Sequence, residues 1–102
     1  MIEWACVVGF DWDAGNARKS ADKSADKHSV TQSEAEQAFF NQPLLILEDD
    51  MHAEARFHAL GRTDEDRRLH ITFTLRRQAT LIRVISARAM SARERSAYEK
   101  GT

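Results

Sequence analysis

The stretch that decides the fold is residues 61–98, GRTDEDRRLHITFTLRRQATLIRVISARAMSARERSAY. Apolar and polar side chains alternate over residues 69–76, a period of two that predicts a strand with one buried face. A second β-branched run follows at residues 82–85. Ser91 and Glu94 form the capping-box pattern that opens a helix. The stretch therefore predicts a hairpin, a further strand and a closing helix.

The second half of the chain is also rich in arginine. Residues 52–102 carry eleven Lys and Arg against six Asp and Glu, a net charge of +5, whereas residues 1–51 carry four against ten, a net charge of −6. Ten of the eleven cations are arginine, which favours forked contacts to phosphate. Arg83 and Arg88 are an odd number of residues apart, so we expect them on opposite faces of their strand. The asymmetry indicates a polyanionic partner, and a solvated surface of mixed ion pairs is the alternative.

The length of 102 residues suits a single domain, residues 1–102, with a modest core. The one cysteine, Cys6, cannot form an internal disulfide, and its apolar neighbours predict a place in the core. No apolar run approaches the roughly 20 residues of a membrane helix. The first residues lack the basic flank of a signal peptide. We therefore expect a cytoplasmic protein without a membrane partner.

The first half of the chain is expected to supply two helices. One begins at Asp13 and contains a duplicated Ser-Ala-Asp-Lys, and the other begins with a capping box at Thr31 and Glu34. Further strands are predicted over residues 5–10, 44–47 and 54–61. Because the connections are short, an antiparallel sheet with helices against one face is favoured. The predicted fold class is α+β: a small antiparallel β-sheet packed by two N-terminal helices and a C-terminal helix.

An open face of this sheet would carry Glu54, Arg56 and His58 together. Such a cluster has the parts for cleaving RNA without a metal, because arginine stabilises charge on phosphorane-like oxygens. Lys, Tyr, His or Glu can move protons to and from the 2′-hydroxyl and the leaving 5′-oxygen. The same face also suits an acidic partner, or a solvated surface of little consequence. The histidines and Cys6 show no metal-ligand spacing and the chain has no Gly-rich phosphate loop, so we expect no metal and no cofactor.

An ordered set of motifs covers nearly the whole chain. The motifs are FDWD at 10–13, KHSV at 27–30, AEQAFF at 35–40, RFHALG at 56–61, IRVISAR at 82–88, RER at 93–95 and Tyr98. In this order the set resembles the BrnT family of bacterial toxins. Ser29 stands where the family usually has glycine, and Ser24 where it usually has asparagine.

The resemblance implies a RelE-like fold and a metal-independent endoribonuclease toxin of a type II toxin–antitoxin system. Such a toxin cleaves RNA, arrests growth, and is neutralised by a BrnA-like antitoxin whose helices cover the basic face. On this interpretation Arg56 and Arg83 bind and neutralise the scissile phosphate, and Lys27 or His28 transfers protons. Tyr98 stacks on a base or assists, with core packing as its alternative.

The same interpretation assigns RNA binding to Arg88, His58 and Glu54. For Arg88 the alternative is a structural ion pair with Glu94 that ties the strand to the closing helix. A different class of function is a non-catalytic binding module that docks the antitoxin and takes part in operator DNA autoregulation through it. A domain that has lost its activity is a third possibility.

Overall fold

A computed structural model describes residues 2, 4–13, 30–49 and 54–101. The strands form one five-stranded sheet in the order β1-β5-β4-β3-β2. None of the described helices is long and apolar enough to cross a membrane. The elements in chain order are a 3-10 helix (Trp4–Cys6), β1 (Gly9–Phe10), α1 (Gln32–Phe40), β2 (Leu44–Asp49), β3 (Arg56–Arg62), β4 (Arg68–Arg76), β5 (Leu81–Ala89) and α2 (Ala92–Gly101).

The predicted α+β class is confirmed, but the sheet is mixed rather than antiparallel. Strands β2 to β5 pair antiparallel, whereas β1 runs parallel to β5. A parallel pair requires a long crossover, and here α1 and three strands lie between β1 and β5 in the chain. The pairing of β1 is therefore set by distant parts of the sequence, which local patterns do not report.

The N-terminal predictions had mixed outcomes. The first strand is only Gly9–Phe10, because residues 4–6 form a 3-10 helix instead. Cys6 lies in that surface turn and is exposed, so its predicted place in the core is wrong. The predicted helix that begins at Asp13 and contains the repeat lies outside the described residues, as do Lys27 and His28. The RelE-like architecture stays a prediction.

The second predicted helix is confirmed as α1. The Glu34 N–H donates to the Thr31 hydroxyl at 3.1 Å, and the Thr31 N–H donates to the Glu34 carboxylate at 3.0 Å. This capping box satisfies two backbone donors that a helix start leaves unpaired. Its buried alanines, Ala35 and Ala38, pack against the sheet. At Gly61 of β3 a Cβ atom would lie 2.9 Å from the Ala38 carbonyl oxygen, so only glycine allows this close approach.

The central strand β4 is buried on both faces. The apolar residues Leu69, Ile71 and Phe73 are at most 2% exposed, as the alternation predicts. On the opposite face His70 and Thr72 are also buried, at 8% and 9% exposure. The prediction of a single buried face is therefore wrong for β4, because His58 of the neighbouring β3 covers its second face by stacking on His70 and bonding to Thr72.

Candidate functional site

One face of the sheet collects most of the predicted site residues, and we call it the polar face. Residues paired in an antiparallel ladder point to the same side of the sheet. His58 pairs with Thr72, and Thr72 pairs with Ser86. By register and alternation the polar face includes Arg56, His58, His70, Thr72, Thr74, Arg83, Ser86 and Arg88, and Leu60, Arg62 and Arg68 continue it at one end.

A β-bulge in β5 decides this composition. Thr72 pairs with Ser86 while Phe73 pairs with Val84, so Ile85 is an extra residue with no partner in the ladder. An extra residue shifts the alternation by one position. Arg83 and Arg88 consequently lie on the same face, and the prediction that they occupy opposite faces is wrong.

A second irregularity lies on the other side of the sheet. In β2, Leu45 pairs with Ala59 and Leu47 with His58, which leaves Ile46 as an extra residue. The two bulges therefore flank one row of the polar face, which we call the histidine row: Leu47, His58, Thr72 and Ser86.

Arg83 lies at the β1 end of the polar face. Its guanidinium is 2.7 Å from the Asp13 carboxylate and 3.7 Å from that of Asp11. The side chain is 22% exposed. The Asp11 N–H donates to the Ile82 carbonyl at 2.8 Å, so the parallel pairing of β1 brings both acids to Arg83. The acids orient the guanidinium and neutralise part of its charge.

Arg88 forms the predicted structural ion pair with Glu94. Two parallel hydrogen bonds of 2.9 Å each join its guanidinium to the carboxylate. Glu94 also accepts the Ser91 N–H at 2.9 Å, and Ser91 accepts the Glu94 N–H at 3.2 Å, which confirms the capping box of α2. Hydrogen bonding to Arg88 lowers the pKa of Glu94 to about 2. This pair therefore ties β5 to the start of α2.

Arg56 differs from Arg83 and Arg88 in its contacts. Its half-buried guanidinium makes no hydrogen bond or ion pair with any other residue that the structure describes. Asp49 faces it across the β2–β3 ladder. Glu54 was expected beside Arg56. It precedes the first residue of β3 and forms an ion pair with Arg76 at 3.2 Å. Unlike Arg83 and Arg88, Arg56 thus has donors that none of the described residues engages.

The centre of the polar face holds two histidines. A 3.1 Å hydrogen bond joins His58 Nδ1 to the Thr72 hydroxyl. The His58 and His70 rings stack with centroids 5.3 Å apart and planes inclined by 21°. Burial lowers the pKa of His70, and the nearby Arg88 lowers it further. Sequence reasoning missed His70, Thr72 and Ser86, although their alternation with the core residues was a visible signal.

Tyr98 occupies a different place from the other predicted site residues. Its ring is 4% exposed and packs with Leu60 and Met90 beneath α2. The Arg68 guanidinium lies 5.3 Å from the ring centroid, within cation–π range. These contacts favour the core-packing interpretation of Tyr98. In the described part of the chain, no three His, Cys, Asp or Glu side chains converge as metal ligands.

Comparison with known proteins assigns the chain to a family. Residues 12–94 match the family model described as the ribonuclease toxin BrnT of type II toxin–antitoxin systems. The matched region includes Arg56, His58, Arg83 and Arg88, and ends before Tyr98. No curated protein matches the chain. Because the match spans more than half of the 102 residues, the chain belongs to the BrnT family of ribonuclease toxins of type II toxin–antitoxin systems.

Proposed function

We propose that this chain is a metal-independent endoribonuclease that cleaves RNA on the polar face. The observation that carries the proposal is the bulge at Ile85, which puts Arg83 and Arg88 on the same face as Arg56 and His58. Bulges occur preferentially beside active sites, where they redirect side chains. A face that unites arginines with histidines has the donors and the proton carriers that RNA cleavage requires.

In this proposal Arg56 and Arg83 hold the scissile phosphate. Arg56 has no competing partner among the described residues, so its fork is available to two phosphate oxygens. Arg83 is held in place by Asp13 at 2.7 Å, and the half-exposed acid, at 52%, can yield to a phosphate. Both guanidinium groups would stabilise the charge that develops on the phosphorane oxygens.

The remaining predicted residues take supporting roles. Lys27 or His28 would supply the proton that the leaving 5′-oxygen needs. Arg88 is held by Glu94 and anchors α2, so its contribution to RNA binding is electrostatic. A BrnA-like antitoxin would neutralise the toxin by covering the basic face, and release of the toxin would arrest growth.

A second candidate is the non-catalytic module that docks an antitoxin and acts on operator DNA through it. An apolar groove favours this candidate: it measures about 560 Å³, and its lining includes Trp4, Val8, Phe10 and Phe40. Val8 is 79% and Phe40 75% exposed, and exposed apolar patches of this kind often mark protein interfaces. The residues that line the groove differ from those of the polar face, so a mutation in the groove tests docking separately from cleavage.

The test compares Arg56→Lys and Arg83→Lys with the parent. Losing a donor to transition-state charge typically lowers kcat by about 10²–10³, and lysine lacks the guanidinium fork. We therefore expect both variants to lose RNA cleavage in excess EDTA, together with growth arrest on induction. Thermal melting and antitoxin capture should change little. Arg62→Lys, on an exposed residue at the end of β3, is the matched control.

Two results would contradict the proposal. If the parent cleaves RNA only when a divalent ion is restored, the metal-independent mechanism fails. If both lysine variants arrest growth like the parent while binding the antitoxin, these arginines are not catalytic and the docking module becomes the better description. Parallel purification of all variants excludes a contaminating nuclease, because only variant-dependent cleavage counts.

A further inference from the structure

His58 occupies the middle of the histidine row, and the family resemblance implies only RNA binding for it. It pairs with Leu47 on one side and Thr72 on the other. The bulges at Ile46 and Ile85 lie at the two ends of this row. Because a bulge redirects the side chains beside it, the two bulges decide which side chains share this row with His58.

The hydrogen bond between His58 and Thr72 suits proton transfer. It joins His58 Nδ1 to the Thr72 hydroxyl at 3.1 Å, while His58 Nε2 has no hydrogen-bond partner among the described residues. A hydroxyl both donates and accepts. When it accepts from Nδ1–H, the neutral ring carries its proton on Nδ1 and its Nε2 has a lone pair that can take a proton. The cationic ring keeps the same Nδ1–H bond to Thr72, so both protonation states keep one ring orientation.

The groups around His58 limit the positive charge beside it. His70 stacks on it at 5.3 Å, and burial and Arg88 lower the pKa of His70, which disfavours its cationic form. Arg88 is neutralised by its two bonds to Glu94. On β3 itself, Arg56 is the neighbouring charged group on the same face, and it lies opposite Asp49.

We infer that His58 is the general base of this ribonuclease, held in position by Thr72. The inference rests on the proposed function. His58 Nε2 takes the proton of the 2′-hydroxyl as the 2′-oxygen forms its bond to phosphorus. The bond from phosphorus to the 5′-oxygen breaks, and its electron pair stays on that oxygen, which takes a proton from water. The products are a 2′,3′-cyclic phosphate and a 5′-hydroxyl, and His58 returns its proton to solvent.

The experiment measures the cleavage rate of a fluorophore- and quencher-labelled RNA oligomer in EDTA between pH 5 and 9. His58→Ala should lower kcat by about 10²–10⁴ with little change in KM. Added imidazole should restore part of this rate to His58→Ala, because it supplies the missing base. His58→Asn keeps an amide beside Thr72 and should fold like the parent, yet cleave as poorly as His58→Ala.

Thr72 and Ser96 provide the positioning variant and its control. Thr72→Val removes the hydroxyl and should lower kcat more than it raises KM, whereas Thr72→Ser should restore the parent rate. Ser96 is exposed on α2 and is not part of the sheet, and Ser96→Ala should leave the rate and the pH profile unchanged. The limb of the parent profile that rises with pH should disappear in both His58 variants, because it reports deprotonation of the base.

The outcomes separate the inference from the function beneath it. A parent that cleaves while His58→Ala and His58→Asn keep its rate and pH profile overturns the role of His58 and leaves the ribonuclease proposal standing. Loss of rate with a matching loss of RNA binding and no rescue by imidazole also overturns it. A parent that does not cleave RNA removes the proposed function, and the inference with it.

Discussion

The two faces of the sheet share the strand β4 but are held together by different forces. On the apolar face Phe73 contacts the rings of Phe39, Phe57 and Trp4, with centroids 5.0, 5.5 and 6.2 Å apart. On the polar face Thr72, the preceding residue, bonds His58 through one hydroxyl. Ring packing sums many weak contacts between atoms, whereas a hydrogen bond depends on its direction and on the protonation of the two groups. The apolar face therefore holds most of the stability, and the polar face can be specialised for chemistry.

The helices follow the same division. Helix α1 contributes Ala35 and Ala38 to the main core on the apolar face. Helix α2 instead covers one end of the polar face, where Tyr98 packs with Leu60 and Met90. Its start is tied to β5 by the Arg88–Glu94 pair. Elsewhere on the polar face, Ser86 and Arg88 are exposed with respect to the described residues, whereas His70 and Thr72 are buried.

Deleting one residue from β5 or one from β4 should give the largest contrast in stability. Removing Ile85 takes out the extra residue of the bulge, so Val84 and Ser86 keep their faces and the protein should stay folded at a cost of about 1–2 kcal/mol. Removing Ile71 from β4 moves every side chain on one side of the deletion to the wrong face, and no cooperative unfolding transition should remain. Circular dichroism and thermal melting measure both. Equal loss of structure in the two variants would contradict the bulge assignment.

The ring at the centre of the apolar face provides the next test. Phe73 is fully buried, and Phe73→Ala should lower the free energy of unfolding by about 3–5 kcal/mol, because it removes ring contacts and leaves a cavity. Phe40 is 75% exposed, and Phe40→Ala should change it by less than about 1 kcal/mol. Urea unfolding at neutral pH measures the difference. Similar losses would mean that the aromatic core extends into the groove.

The smallest expected change in stability comes from the Arg88–Glu94 pair at the end of the polar face, and it depends on pH. The pKa of Glu94 is lowered to about 2, so ionised Glu94 stabilises the fold above its ordinary pKa, and this contribution is lost as the pH falls towards 2. Glu94→Gln should therefore cost about 1 kcal/mol at pH 6.5, a value reduced by the partial exposure of the pair, and less at pH 3.

The control for this test is Glu54→Gln. The Glu54–Arg76 pair is about half exposed on both sides, and its loss should cost no more than about 0.5 kcal/mol at either pH. Urea unfolding at pH 6.5 and 3 gives both differences. If the cost of Glu94→Gln stays the same at the two pH values, the ion pair with Arg88 is not the source of the stabilisation.

Local patterns in the sequence determined the elements and one face of the sheet. The alternation of Leu69, Ile71 and Phe73 predicts the buried side of β4, and these residues are at most 2% exposed. The two capping boxes predict the starts of α1 and α2, because they depend on residues only three positions apart. The excess of arginine in residues 52–102 indicates a basic surface for a polyanionic partner.

Tertiary structure alone decided how the site residues come together. The extra residues Ile46 and Ile85 exist only relative to partner strands, and a residue without a partner has no distinctive local composition. The same holds for the parallel pairing of β1, which brings Asp11 and Asp13 to Arg83. Pairing between strands is a long-range choice made by packing, whereas alternation and capping act over a few residues. The sequence therefore determines which residues can react, and the register of the sheet decides which of them meet.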